Sequence, residues 1–113
     1  MGEVILRVLG TVGRAHAAYQ ERRWADLLDH TEQLISQSLL LWRSITAAED
    51  VVAPYVTPAE QRQAIDAALG RLRGMQNDLA KNYPPGLAIP AVLVQVIHVA
   101  VELAIQVLVA SRG

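Results

Sequence analysis

The stretch AVLVQVIHVAVELAIQVLVA, from Ala91 to Ala110, decides whether this chain crosses a membrane or folds as a helical bundle. Its length suffices to span a bilayer. Four polar residues interrupt it, however, and at about 100° per residue they share an arc of roughly 80°: Gln95, His98, Glu102 and Gln106. A carboxylate at the centre of a bilayer costs roughly 2.5 kcal/mol or more. We therefore expect a helix of a soluble bundle and no membrane span.

Proline-containing breaks divide the rest of the chain into helical segments. The stretches APYVTP, residues 53–58, and NYPPG, residues 82–86, interrupt helices because proline lacks an amide hydrogen and clashes with the preceding turn. A weaker break falls at residues 21–23. The 113 residues suffice for one domain with its own core. We predict a single helical domain over residues 1–113, an all-α four-helix bundle with antiparallel helices at roughly 3–20, 24–50, 58–82 and 89–111.

The third segment carries the clearest local signals. Thr57 offers a hydroxyl N-cap, Pro58 occupies the first helical position, and Glu60 stands three residues after the cap, as in a capping box. An apolar row at helical spacing follows, and we expect it in the core: Ile65, Ala68, Leu72, Met75 and Leu79. On the second segment the predicted inner side is apolar as well: Trp24, Leu27, Leu28, Leu34, Ile35, Leu39, Trp42 and Ile45.

Composition excludes several classes of protein. Without cysteine the chain holds no disulfide and no thiolate metal site, and its net charge of −1 provides no basic field for nucleic acid. In the start MGEVILRVLGTVGRAH, Glu3 precedes a short apolar run and Arg7 interrupts it, whereas a secretory signal needs a basic start and an unbroken apolar segment. We expect a cytoplasmic protein that binds no nucleic acid and requires no cofactor.

Few residues suggest catalytic or metal chemistry. His98 and Glu102 lie one turn apart, as in some metal sites of helical bundles. A closed metal site needs three or four ligands, and the only other histidines are His16 and His30. We therefore interpret the four polar residues of the last segment as a polar seam, hydrogen-bonded across an interface or exposed to solvent. Neither a serine elbow nor a glycine-rich phosphate loop is present, which favours a non-enzymatic module.

The stretch AHAAYQERRWADLLDHTEQLI, residues 15–35, resembles two helical families. It is similar to the helix–turn–helix of a tetratricopeptide repeat, with Tyr19 in the first helix and Arg22-Arg23-Trp24 at the turn. It also resembles the opening helices of HEPN bundles, a family containing ribonucleases that use an arginine and a histidine separated by four to six residues. Arg23 and His30 have the six-residue gap. The resemblance implies an alternative function, a helical ribonuclease that acts through this pair.

The last segment is apolar around most of its circumference, and the first segment repeats this pattern more weakly. Exposed in a monomer, both would leave a large aliphatic surface in water, which soluble monomers rarely tolerate. We therefore predict self-association, or binding of a helical partner subunit, through the first and last helices. Gly10 and Gly13 lower the helix propensity of the first segment, so they either permit close packing, which we expect, or mark a weak point of the helix. The predicted interface residues are Ile5, Val8, Val12, Val92, Val96, Val99, Leu103 and Val107.

Two further interpretations stay open. The bundle interior or a dimer seam near Trp24 and Trp42 could receive an apolar compound, which would make the chain a regulatory module for a small ligand. The repeated Val, Ile, Leu and Ala of the last helix also resemble a computationally redesigned interface on a natural bundle. The leading hypothesis is a non-enzymatic assembly module that forms a homo-oligomer, either a dimer or a larger assembly.

Overall fold

A computed structural model describes residues 2–49, 53, 56–82 and 91–112. Its helices are α1 (Gly2–Gln20), α2 (Trp24–Thr46), α3 (Pro58–Asn82) and α4 (Ala91–Arg112), and the described residues contain no strand. The predicted all-α bundle is confirmed. Helix α2 ends before the predicted position 50, and the predicted positions 89 and 90 of the last helix lie outside the described residues.

Helix α3 begins at the predicted cap. The Thr57 hydroxyl accepts a hydrogen bond from the Glu60 amide at 3.1 Å, and the Thr57 carbonyl accepts one from the Gln61 amide at 2.9 Å. A side-chain cap of this kind typically stabilises a helix by about 1 kcal/mol. The apolar row that follows is buried, as predicted: Ile65, Ala68, Leu72, Met75 and Leu79.

Each helix packs mainly against two neighbours and lies diagonal to the remaining one. Helix α1 packs against α2 and α3, and α4 packs against the same two helices, so the order around the bundle is α1, α2, α4, α3. Helices α2 and α3, which follow one another in the chain, therefore lie at diagonal corners of the bundle. Helices α1 and α4, which we predicted to form one interface together, lie at opposite corners.

Side-chain pairs fix the direction of each helix. The Tyr19 hydroxyl near the end of α1 donates to Asp78 near the end of α3, so α1 and α3 run in the same direction. Arg112 at the end of α4 pairs with Asp66 in the first half of α3, so α3 and α4 are antiparallel. Because only residues 21–23 join α1 to α2, these helices are antiparallel, and α2 and α4 are parallel. The predicted antiparallel arrangement thus holds for consecutive helices. The two neighbouring pairs that are not consecutive, α1/α3 and α2/α4, run parallel.

The inner side of α2 differs from the predicted one. Leu27, Leu34 and Leu41 are buried, but Leu39 and Trp42, which we predicted on the inner side, are about half exposed. The reason is that, within the described residues, α2 packs mainly against α1 and α4. The two exposed side chains lie on the part of the helix surface that α4 leaves open.

Gly10 and Gly13 do not mediate helix packing. A Cβ added at Gly13 would meet nothing within 4 Å, and one at Gly10 would meet only the flexible guanidinium of Arg14 at 3.3 Å. The prediction that these glycines permit close packing is therefore wrong.

Helices α1 and α2 both end in a Schellman motif, with a non-glycine residue in the left-handed conformation. At the end of α2, the amide of Ala48 donates to the Ile45 carbonyl and the amide of Glu49 donates to the Ser44 carbonyl, each at 3.0 Å. Ala48 has φ of 57°, and Arg22 holds the same φ at the end of α1. The left-handed turn at Ala48 explains why α2 ends earlier than predicted.

Replacing Ala48 by glycine is expected to raise the free energy of unfolding by about 1 kcal/mol. An L side chain in the left-handed region costs roughly 1–2 kcal/mol, and the greater freedom of glycine in the unfolded chain offsets part of the gain. Urea denaturation of the variant measures the difference. Ala47→Gly is the matched control, because Ala47 has φ of −81° and gains nothing from glycine. Equal effects at both positions would contradict the left-handed assignment.

One side chain of α3 holds the connection between α2 and α3. The Ala53 amide donates to the Gln61 Oε1 at 2.7 Å, and both residues are buried. A buried amide without a partner costs about 1–3 kcal/mol. The Gln61 side chain therefore replaces the hydrogen bond that the Ala53 amide makes to water in the unfolded chain.

Candidate interaction surface

A shallow apolar groove runs between the parallel helices α2 and α4. Ile35 of α2 lies there beside four residues of the first turns of α4, which enclose a volume of about 290 Å³: Val92, Gln95, Val96 and Val99. Val92 is 71% exposed and Val99 is 59% exposed. Two branched aliphatic side chains, two turns apart on α4, therefore remain mostly in water.

The apolar surface continues along both helices. Helices α2 and α4 run in the same direction, so the turns of α2 after Ile35 lie beside the turns of α4 after Val96. Leu39 and Trp42 are 49% and 46% exposed, and Leu103 is partly buried. We call this surface the α2/α4 face, composed of Ile35, Leu39 and Trp42 from α2 and of Val92, Val96, Val99 and Leu103 from α4.

The predicted interface residues divide into two groups. Four of them lie on the α2/α4 face: Val92, Val96, Val99 and Leu103. The other four are buried in the chain's own core, and this fold therefore removes them from any surface that a partner could contact: Ile5, Val8, Val12 and Val107. The physical reason is that α1 packs these side chains against α2 and α3 rather than against α4.

The sequence interpretation missed the contribution of α2. It placed Leu39 and Trp42 in the core and took α1 as the second interface helix. On α1, however, the large apolar residue that is exposed is Leu6. Leu40 is also exposed on α2, so the sequence LLLW over residues 39–42 holds only one buried member, Leu41. An apolar run that fills more than one side of a helix was the signal that could have identified this surface.

The polar seam lies at the edge of the α2/α4 face. Gln95, His98, Glu102 and Gln106 are all exposed. The Glu102 carboxylate accepts hydrogen bonds from the Gln76 amide group of α3 at 2.8 Å and from Gln106 at 3.3 Å. This part of the seam thus joins α4 to α3 within one chain. Among the described residues, no group of three His, Asp or Glu side chains converges as metal ligands.

Helix α4 also has the length and composition of a membrane span. Within the described residues, the most apolar 18-residue window of the segment Val92–Arg112 has a mean hydropathy of 2.2, and 44% of that window is buried in the bundle. The buried side is part of the core, through residues such as Ile97, Val101 and Leu108. A core helix with one exposed apolar side passes the same test of length and composition.

The arginine–histidine pair of the HEPN resemblance is not arranged as an open site. The Arg23 guanidinium donates to Glu21 at 2.8 Å and to Asp26 at 2.6 Å, which raises the pKa of Arg23. The Nδ1 atom of His30 is buried and has no hydrogen-bond partner among the described residues. Two carboxylates therefore already occupy the guanidinium that would hold a phosphate.

The two tryptophans do not form one binding site. Trp24 packs edge-on against Tyr19, with ring centroids 6.2 Å apart, and the Arg22 guanidinium lies 6.0 Å from the Trp24 ring. Trp42 lies five turns further along α2, a separation of roughly 27 Å. A small apolar compound could not contact both rings.

A cleft opens on the opposite side of the bundle, between α1 and α3. Its volume is about 510 Å³, and its lining is mostly polar: His16, Tyr19, Gln20, Arg22, Gly74, Met75 and Asp78. The Tyr19 hydroxyl donates to the Asp78 Oδ2 at 2.5 Å. Burial, followed by this hydrogen bond, raises the pKa of Tyr19. Burial, followed by the nearby Arg71 guanidinium, lowers the pKa of His16.

Comparison with family models, curated proteins and solved structures found no match to this chain.

Proposed function

We propose that this chain is a non-enzymatic helical assembly module that pairs with a second copy of itself through the α2/α4 face. The observation that carries the proposal is the exposure of large apolar side chains on one continuous surface of two adjacent helices, with Val92 at 71% and Val99 at 59%. Soluble monomers rarely expose large contiguous apolar patches, and such patches mark interaction sites.

The charges beside this face favour a second copy as the partner. Glu32 and Arg43 are exposed and lie about three turns apart on α2, so they share one edge of the helix. In a two-fold dimer the same patch meets itself in the opposite direction. With the two-fold axis close to the middle of α2, Glu32 of one copy faces Arg43 of the other. The face is therefore complementary to itself in charge.

The same charges disfavour a lipid surface as the partner. Amphipathic helices that lie on membranes carry Lys and Arg along the border of the apolar face. Here Glu32 offsets Arg43 on the α2 side, and the α4 side carries Glu102 with uncharged glutamines. A negatively charged bilayer would gain little attraction from this border.

Light scattering coupled to size-exclusion chromatography tests the proposal. Wild-type protein is expected to elute with twice the chain mass at micromolar concentration. Val99→Glu places a charge at the centre of the face and is expected to weaken association roughly 30-fold, or about 2 kcal/mol. Ala64→Glu, at an exposed position of α3, is the matched control and should leave the dimer intact. A folded wild-type monomer under these conditions would overturn the proposal.

Charge exchange tests the two-fold arrangement. Arg43→Glu places carboxylates opposite each other and should weaken the dimer, whereas the double variant Glu32→Arg/Arg43→Glu should restore it. Failure of the double variant to recover association would contradict the proposed axis. Wild-type protein that stays monomeric in water but floats with anionic phospholipid vesicles would assign the face to a membrane surface instead.

A further inference from the structure

The polar seam places two of its residues along one rim of the α2/α4 face. Gln95 and Glu102 are exposed and lie seven residues apart on α4, so they fall on nearly the same line along the helix. That line runs roughly 40–60° around the helix axis from Val92 and Val99, on the side where Glu102 contacts α3. Residues that border an apolar contact between helices in this way pair across it and set partner choice and orientation.

The charges on α2 determine where a two-fold axis would cross α4. The proposed pairing of Glu32 with Arg43 places the axis midway between these two residues, about 4 Å beyond Ile35 along α2. Ile35 lies beside the first turns of α4, level with Val96. Because α2 and α4 are parallel, the same axis crosses α4 about 4 Å beyond Val96, between residues 98 and 99.

Gln95 and Glu102 lie symmetrically about this level. Each is about 5 Å from it along the helix, one on either side. A two-fold axis that crosses both helices of the face places α4 of one copy against α4 of the other, in the opposite direction. Gln95 of each copy then faces Glu102 of the other. The α2 rim and the α4 rim are thus complementary about one and the same axis, although they come from different helices.

Contacts within the chain orient the Glu102 carboxylate for such a bond. The Gln76 amide group donates to one of its oxygens at 2.8 Å, and the Gln106 amide group donates to the other at 3.3 Å. A carboxylate has about four acceptor positions, so it can accept further donors from another chain. The Gln95 amide group makes no hydrogen bond with the described residues, and its two hydrogens are available.

We propose that Gln95 and Glu102 set the register of the dimer, with the Gln95 amide group of each copy donating to the Glu102 carboxylate of the other. The inference rests on the proposed self-association through the α2/α4 face and adds what its apolar residues do not supply. Aliphatic contacts between helices tolerate more than one register, whereas a polar pair is satisfied in only one. The two equivalent bonds therefore select the antiparallel pairing of the α4 helices.

Opposite charges introduced at one position test the register. Gln95→Lys places an ammonium group opposite Glu102 of the other copy at two equivalent sites. It is expected to tighten the dimer about threefold to tenfold, and Gln95→Glu to weaken it by a similar factor. Sedimentation equilibrium of the full chain gives the dissociation constants. Gln63→Lys and Gln63→Glu, on α3 outside the face, are the matched controls and should change them less than about twofold.

The Glu102→Gln background shows whether the effect comes from the proposed pair. Gln95→Lys should lose its advantage there, because the facing carboxylate is gone. A gain that persists without Glu102 overturns the register. Weakening by both charges also overturns it, because Gln95 would then face its own equivalent in the other copy. The absence of any response to either charge would place Gln95 outside the interface and is equally contrary.

These outcomes separate the register from the proposed function. A folded wild-type chain that stays monomeric at micromolar concentration overturns both. A wild-type dimer that Val99→Glu weakens, but that does not respond with opposite signs to the two charges at position 95, retains the α2/α4 face and overturns the register alone.

Discussion

Replacing Ile97 by alanine is expected to lower the free energy of unfolding by about 3 kcal/mol. Ile97 is fully buried on the inner side of α4. Removing a buried aliphatic side chain costs the transfer free energy of the lost atoms and leaves a cavity, which together amount to roughly 2–5 kcal/mol. Small domains have only about 5–15 kcal/mol of total stability, so the variant would be marginal at physiological temperature.

Val99→Ala is the matched control for this prediction. Val99 lies two residues further along the same helix and is 59% exposed. Its truncation removes little buried surface from the folded monomer, and we expect a loss below about 0.5 kcal/mol. Urea denaturation at a concentration where both variants are monomeric measures the two values. Equal values at the two positions would mean that α4 is not packed into the bundle as described.

Replacing Gln61 by alanine is expected to cost about 2 kcal/mol. The substitution leaves the buried Ala53 amide without its acceptor, and an unsatisfied buried donor costs roughly 1–3 kcal/mol. Alanine has the higher helix propensity, which offsets only a few tenths of that loss. Thermal or urea unfolding of the variant provides the measurement.

Gln63→Ala makes the same chemical change at an exposed position of α3. It should leave the stability within about 0.5 kcal/mol of wild type. If Gln61→Ala is equally neutral, the hydrogen bond to Ala53 does not hold the connection between α2 and α3. The comparison separates the buried hydrogen bond from the intrinsic preference of glutamine for a helix.

Local features of the fold could be predicted from the sequence because their causes are local. The cap formed by Thr57, Pro58 and Glu60 fixes the start of α3. The apolar row from Ile65 to Leu79 follows the helical repeat of a buried side. The end of α2 was less accessible, because Ala48 adopts a left-handed conformation that its residue type does not indicate.

The order of the helices could not be predicted from the same patterns. An apolar side shows that a helix is buried but does not specify which helix covers it. Placing α1 diagonal to α4 moves Ile5 and Val12 into the core and leaves Leu39 on the surface. Which residues form the α2/α4 face depends on which helices are neighbours. Half of the predicted interface residues are therefore buried in the core instead.

The cleft between α1 and α3 was missed for the same reason. Its charged residues are distant in sequence: Arg22 lies in the turn between α1 and α2, Asp78 lies in α3, and no common motif connects them. The Gln61 hydrogen bond gave no signal either, because an isolated glutamine near the start of a helix is usually exposed. Long-range pairing of single polar residues requires the three-dimensional arrangement.

Because α2 and α3 lie at diagonal corners of the bundle, the length of the linker between them is a requirement of the monomeric fold. Adjacent helix axes are separated by about 10 Å, so opposite corners of a four-helix square lie roughly 14 Å apart. A linker of only two or three residues would join neighbours but could not reach the far corner. A chain with a shortened linker would have to exchange α3 and α4 with another molecule. The same core would then form between two intertwined polypeptides.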